Sequence, residues 1–145
     1  MDDIKIKNLG TRRPGLDLPA IRHLGREECE SLLKELTARL EMPDGSSALA
    51  ILKVLELGAS DIPHVKPSDD GFVLSELLNR LQFEPANIYI NWSSFDDIDE
   101  MSTVQFSAVF HDLWYPSSDD IEIFDRSHDW VLLIRHFDVV QLLRI

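Results

Sequence analysis

Residues 106–125 constrain the fold most, because their apolar pattern changes period half-way along. Up to Leu113 the apolar side chains recur at helical spacing, whereas residues 120–124 alternate as a strand does. Between them lies a turn at residues 114–118, which contains a proline. Large aromatic side chains stand beside a dense group of carboxylates here, so we expect both the core and the working surface to form around this stretch.

Strand patterns continue from this stretch to the end of the chain. Residues 130–136 are apolar on both alternating faces, and a last strand is predicted at residues 139–145. Turns as short as those between these segments join antiparallel neighbours. A further strand is predicted at residues 87–92, where large apolar side chains occupy every second position.

The apolar spacing also predicts four helices, at about residues 26–41, 46–58, 72–82 and 98–112. The second of these is apolar around most of its circumference, which indicates deep burial. Prolines and a glycine at residues 14–19 break any helix there, so residues 1–24 are expected to form an irregular arm. Cys29 lies on an apolar stripe, which favours a small buried residue over a reactive thiol.

Because most helices precede most strands, we predict an α+β fold in one globular domain, residues 1–145. N-terminal helices should pack on one face of a C-terminal, mostly antiparallel sheet of about four strands. The other face should be wet and present Tyr89, Asn91, Glu122 and Arg135.

The charge of the chain is strongly negative and unevenly spread. The formal net charge is −12, and residues 91–129 hold ten acidic side chains against Arg126 alone. Residues 1–26 hold six basic and three acidic side chains. Such acidity argues against binding of nucleic acid, whose phosphates attract basic groups. It favours a basic protein partner, with solubility alone as the competing interpretation.

The composition also bears on the compartment. No apolar run approaches the ~20 residues that span a bilayer, and the start of the chain lacks the apolar core of a signal peptide. The single cysteine, Cys29, excludes an internal disulfide and agrees with a reducing compartment. We therefore expect a cytoplasmic protein with no membrane partner, and leave its oligomeric state open.

No catalytic or cofactor signature occurs: the chain lacks a P-loop, a dinucleotide fingerprint, a nucleophile elbow and HExxH. We therefore predict no catalytic residue, no cofactor and no metal site. One alternative stays open, a small metal-dependent or acid–base hydrolase that uses Asp119, Asp120, Glu122 and a nearby histidine. Such carboxylates can hold a cation or move a proton, although acids of this kind more often cap turns or stay solvated.

Residues 113–125 (LWYPSSDDIEIFD) and 130–136 (WVLLIRH) resemble the C-terminal part of small bacterial immunity proteins. Those proteins belong to polymorphic toxin systems of the contact-dependent inhibition or Rhs type. The resemblance covers about the last third of the chain and carries no catalytic residue across. It implies a cytoplasmic, non-enzymatic protein that binds and blocks one cognate toxin domain. The acidity fits a basic toxin such as a nuclease, while an ADP-ribosyltransferase or another class stays open.

The predicted binding surface combines the turn before the fourth helix with the central turn. Carboxylates there would form charge-assisted hydrogen bonds with a partner's Arg or Lys, and two aromatic side chains would serve as anchors. The predicted residues are Asp96, Asp97, Asp99, Glu100, Trp114, Tyr115, Asp119, Asp120 and Glu122.

Overall fold

A seven-stranded antiparallel sheet forms the centre of the computed structural model, which describes residues 1–145. Its strands are β1 (Ile21–His23), β2 (Ser60–Asp61), β3 (Asn87–Ser93), β4 (Asp97–Ser102), β5 (Ile121–Phe124), β6 (Trp130–Arg135) and β7 (Val139–Arg144). Across the sheet they stand in the order β1-β4-β3-β5-β6-β7-β2. The five helices are α1 (Asp3–Arg12), α2 (Arg26–Arg39), α3 (Ala48–Gly58), α4 (Leu74–Arg80) and α5 (Thr103–Leu113).

Every residue of the central strands β5 and β6 is buried. Strands buried on both faces need cover on both sides. Helices α1, α4 and α5 cover one face and enclose a first core that includes Leu9, Phe106 and Phe110. Helices α2 and α3 cover the other face and enclose a second core that includes Leu36, Ile51 and Phe124. The molecule therefore has three layers, with the sheet in the middle.

The α+β class is confirmed, but the expected sheet of about four strands was wrong. Residues 98–102, assigned from sequence to the start of the fourth helix, instead belong to β4 and pair with β3. Ile98 and Met101 lie three residues apart, which looks like helical spacing, yet Ile98 belongs to the second core and Met101 to the first. Burial on both faces therefore produced a pattern that the alternation rule for half-buried strands does not describe.

The prediction that one face of the sheet lies in solvent was also wrong. Helices α2 and α3 cover it, so the polar side chains expected in solvent are buried, and each must find a partner inside the protein. These side chains are Tyr89, Asn91, Glu122 and Arg135.

Residues 1–24 contain two regular elements in place of an irregular arm. Helix α1 begins after Asp2, whose carboxylate accepts a hydrogen bond from the Ile4 amide at 2.9 Å. The prolines and glycine that argued against a helix lie beyond the end of α1, so they limit its length without preventing it. Leu9 fixes α1 against the first core, where its side chain is fully buried.

The helices predicted near residues 26–41, 46–58 and 72–82 are confirmed with shorter ends. Ser47 caps α3 by accepting a hydrogen bond from the Ala50 amide at 3.2 Å. The deep burial expected for α3 is only half right, because Leu49 and Leu57 are exposed. Cys29 is buried, as the sequence predicted. No helix is both long and apolar enough to cross a membrane.

One buried titratable side chain lies in the turn between β5 and β6. His128 has a positive φ of 53° and its Nε2 atom is buried without a hydrogen-bond partner. Burial lowers the pKa of His128, because the imidazolium loses its hydration; Glu35, whose carboxylate lies 3.7 Å from Nδ1, opposes this effect. The neutral imidazole is therefore the form that the folded protein accommodates.

Replacing Leu9 with Ala tests whether α1 is an integral part of the first core. Loss of a fully buried leucine should lower the free energy of unfolding by about 2–5 kcal/mol. Ile4→Ala, on the exposed side of the same helix, should cost less than about 0.5 kcal/mol. Urea denaturation measures both, and equal small losses would contradict the docking of α1.

His128 should make the protein less stable in mild acid. The unfolded chain takes up a proton near its ordinary pKa of about 6.5, while the folded chain does so only at lower pH. Stability should thus fall as pH drops below about 6.5, and the slope should flatten in His128→Asn. His64→Asn, at an exposed left-handed position, is the matched control. An unchanged slope in His128→Asn would assign the acid sensitivity to other groups.

Candidate partner-binding cleft

An open cleft of about 310 Å³ lies at the end of the sheet where β3 ends, β5 begins and β6 ends. Helix α3 forms one of its walls through Leu52 and Glu56. Three of the predicted binding residues line it together, namely Asp119, Asp120 and Glu122. The sheet topology thus brings a turn, a strand and a helix to one place.

A buried ion pair forms the floor of the cleft. Arg135 Nη1 donates to Glu122 Oε1 at 2.8 Å, and Asn91 Nδ2 donates to Glu122 Oε2 at 2.6 Å. Burial raises the pKa of Glu122, and the charge of Arg135 works against that rise. The second guanidinium nitrogen of Arg135 lies 3.4 Å from Glu56 at the edge of the cleft. Each oxygen of the Glu122 carboxylate thus accepts a hydrogen bond from a neighbouring side chain, so Glu122 has a structural role here.

Asp119, on the opposite side, is also held by internal contacts. Its carboxylate pairs with the ammonium of Lys5 and accepts a hydrogen bond from the Tyr115 amide at 2.8 Å. The same ammonium donates to the Leu113 carbonyl at 2.7 Å and lies 4.2 Å from the centre of the Tyr115 ring. Lys5 thus ties α1 to the central turn, and Asp119 is its counter-ion.

The rim of the cleft carries the accessible carboxylates. Asp120 accepts a hydrogen bond from the His136 amide at 2.8 Å and lies 2.9 Å from His136 Nδ1, with its side chain 43% exposed. Glu56 is 56% exposed. Asp96 does not line the cleft; it is exposed in the neighbouring turn between β3 and β4, two residues beyond the cleft-lining Ser94, and no cation pairs with it. The Phe95 amide fixes this turn by donating to Asn91 Oδ1 at 2.9 Å.

The predicted acids at the start of β4 face the first core. Asp99 is fully buried, where it accepts a hydrogen bond from Trp92 Nε1 at 2.8 Å and lies 3.2 Å from the terminal ammonium of Met1. Asp97 pairs with the same ammonium and is half-buried. Both side chains therefore serve the fold at this edge of the sheet.

The remaining predicted residues lie apart from the cleft or inside the core. Glu100, farther along β4, pairs with Arg22 at 2.6 Å. Trp114 is buried, stacks on Phe110 with 5.4 Å between ring centres, and donates through Nε1 to the Asp119 carbonyl at 2.9 Å. Tyr115 is half-buried beside Lys5. Trp114 is thus a core residue.

Most of the acidic side chains in residues 91–129 form ion pairs within the protein. Of the ten acids in residues 91–129, seven pair with a lysine, an arginine or the terminal ammonium. Several of these cations come from the basic first part of the chain. The three acids without such a partner are Asp96, Asp120 and Asp125. Two of these, Asp96 and Asp120, belong to the turns at the cleft end of the sheet.

Sequence reasoning missed the part of the site that α3 and β6 supply. Glu56 is the only acid of its helix, and its position at the cleft depends on how α3 docks on the sheet. Arg135 was expected in solvent. Its burial under α3 follows from the helical cover on the second face of the sheet, which the sequence did not predict. A lone acid on a strongly apolar helix was the one available signal for Glu56.

Comparisons with protein families, curated proteins and solved structures find no match to this chain. No group of three or more His, Cys, Asp or Glu side chains is arranged to hold a metal ion.

Breaking the buried pair tests its structural role. Glu122→Ala should cost about 3–5 kcal/mol of unfolding free energy, because it leaves the Arg135 charge buried and uncompensated. The double variant Glu122→Ala, Arg135→Met should cost clearly less than the sum of the single variants Glu122→Ala and Arg135→Met. Urea denaturation of all three gives the coupling energy, and simple additivity would show that the two side chains act independently.

Proposed function

We propose that the protein is an immunity-type binding protein that neutralises a cognate bacterial toxin domain in the cytoplasm. Its binding surface would be the acidic rim of the cleft, formed by Glu56 and Asp120, together with Asp96 in the neighbouring turn between β3 and β4. The observation that carries this proposal is the placement of the acids that have no lysine or arginine partner. Most acids of residues 91–129 pair with a lysine, an arginine or the terminal ammonium, while Asp96 and Asp120, at the cleft end of the sheet, do not, and Asp120 contacts His136 instead.

The chemistry of this rim suits a basic partner such as a nuclease domain. Arg and Lys side chains form charge-assisted hydrogen bonds to carboxylates, and Arg does so in a bidentate way. An acidic rim also attracts a basic domain before contact, which speeds association at low ionic strength. Rapid association is what an inhibitor needs when its target is toxic to the cell that makes it.

The alternative of a small hydrolase has weaker support from the contacts. It requires Asp119, Asp120 and Glu122 to act on a substrate, but Asp119 is engaged by Lys5 and Glu122 by Arg135 and Asn91. Asp120 beside His136 is the one acid–histidine pair left at the cleft. A single exposed pair on a rim is a more ordinary feature of a binding surface than of a catalytic centre.

Neutralising the rim should weaken binding without unfolding the protein. Asp96→Asn and Asp120→Asn keep the side-chain shape, and the side-chain carbonyl that Asp120→Asn introduces can still accept the hydrogen bond of the His136 amide. Combined with Glu56→Gln, they should lower affinity for the toxin domain, mainly through the association rate and most strongly at low salt. The genes that adjoin this one supply the candidate toxin domains, and surface plasmon resonance at two salt concentrations measures their binding.

The matched control removes the same kind of charge elsewhere. Glu41 and Glu84 are exposed; Glu41 follows α2, whose Arg39 pairs with Asp129 at the far end of the sheet, and Glu84 precedes the start of β3. Glu41→Gln with Glu84→Gln should change binding little. In cells, co-expression of the wild-type chain should restore growth in the presence of the toxin domain. Absence of any binding between the purified pair at low salt would refute the proposed function.

A further inference from the structure

Phe137 is the one aromatic side chain that the fold leaves exposed. The chain holds three Trp, two Tyr and seven Phe residues, and all the others are buried or half-buried. Phe137 is 60% exposed and belongs to neither core. Single exposed aliphatic residues are ordinary on a protein surface, but an aromatic ring left in water forgoes a large area of apolar burial. The fold itself therefore gains little from this ring.

The turn that carries Phe137 is held by groups other than its side chain. Residues 136–138 join β6 to β7, and Asp138 closes the turn with a left-handed φ of 68°. Hairpin turns of this length commonly end in such a residue, a conformation that Asp tolerates. The Asp138 amide donates to the Arg135 carbonyl at 3.0 Å, and its carboxylate accepts from the Ser68 amide at 3.0 Å. The backbone under the ring is thus fixed without help from the ring.

The same turn places the ring beside the acidic rim of the cleft. The rings of Phe137 and His136 meet edge to face, with 5.2 Å between their centres. His136 contacts Asp120 through both its amide, at 2.8 Å, and its Nδ1 atom, at 2.9 Å. Asp120 and Arg135 both line the cleft. Measured contacts therefore connect the exposed ring to a rim carboxylate through a single histidine.

A second copy of this chain is a poor occupant for this surface. Each copy carries a net charge of −12, so contact through the turn would bring two acidic rims together. A partner that offers an apolar pocket for the ring and a basic side chain for the neighbouring carboxylate matches both features. The charge of the rim thus selects the kind of protein that would cover Phe137.

We infer that Phe137 is the apolar anchor of the partner interface, and that the toxin domain receives its ring in an apolar pocket with Lys or Arg beside it. This inference rests on the proposed function and adds the residue that supplies much of the affinity. Aromatic side chains that enter a partner's pocket are typical hot spots of protein interfaces. Because the turn is already fixed, the ring loses little conformational freedom on binding. The rim charges would then guide association, while the ring slows dissociation.

Replacing Phe137 with Ala tests the anchor on the full-length protein. Surface plasmon resonance on the purified toxin domains encoded by adjoining genes should show an affinity about tenfold lower or more. The loss should come mainly from faster dissociation and should be similar at low and high salt, unlike the effect of the rim variants. Val104→Ala, at a position 71% exposed on α5, is the matched control and should leave affinity unchanged. Urea denaturation should find both variants as stable as the wild type, since neither side chain is buried.

The outcomes separate this inference from the proposed function. Unchanged affinity in Phe137→Ala, with the wild type still binding, would overturn the anchor and leave the acidic rim as the interface. A loss confined to the association rate at low salt would also overturn it, because charge alone would then explain the effect. A concentration-dependent dimer, seen by sedimentation and lost in Phe137→Ala, would assign the ring to a second copy. Absence of any binding by the wild type at low salt would refute the proposed function and this inference with it.

Discussion

Burial of β5 and β6 on both faces is the constraint from which the rest of the structure follows. Because no residue of these strands reaches solvent, helices must cover the sheet on both sides. The second layer then traps Glu122 and Arg135, polar residues on a face that carries Phe124 and Val131 elsewhere. Glu122 and Arg135 pair with each other at the margin of the second core, so neither charge is buried without a partner. The floor of the cleft is thus a consequence of how the sheet is buried.

Ion pairing between distant parts of the chain gives the acidic segment its shape. Lys5 and Arg13 of the first part of the chain meet Asp119 and Asp112 around α5, and Arg22 meets Glu100 across β1 and β4. These pairs join the first part of the chain to α5 and the central turn, and β1 to β4, and they offset much of the negative charge of residues 91–129. Any electrostatic attraction of a partner therefore comes from a few exposed acids and from the net charge, which stays at −12.

The elements that sequence reasoning found are those with one dominant local signal. The strands at residues 87–92, 120–125, 130–136 and 139–145 alternate or run apolar between turns, and Ser47 marks the start of α3. The strand at residues 97–102 was missed because Ile98 packs in the second core and Met101 in the first. Their spacing of three residues resembles that of a helix. Helix α1 escaped because the prolines and the glycine at residues 14–19 were taken to prevent any helix in this part of the chain, although they lie beyond its end.

The same limit applies to the site, where residue type was visible but the pairing partner was not. Asp120 and Glu122 lie two residues apart, yet one is exposed and the other is held by Arg135, whose place depends on the register of β6. The tertiary structure separates acids that are paired inside the protein from acids that are exposed on the rim. Internal pairs tie α1 to the central turn at Asp119 and β6 to β5 at Glu122. On the proposed function they would hold Asp120, which lies between them in sequence, in place for a partner. A preordered rim loses less conformational freedom on binding, and more of each charge-assisted contact is then expressed as affinity.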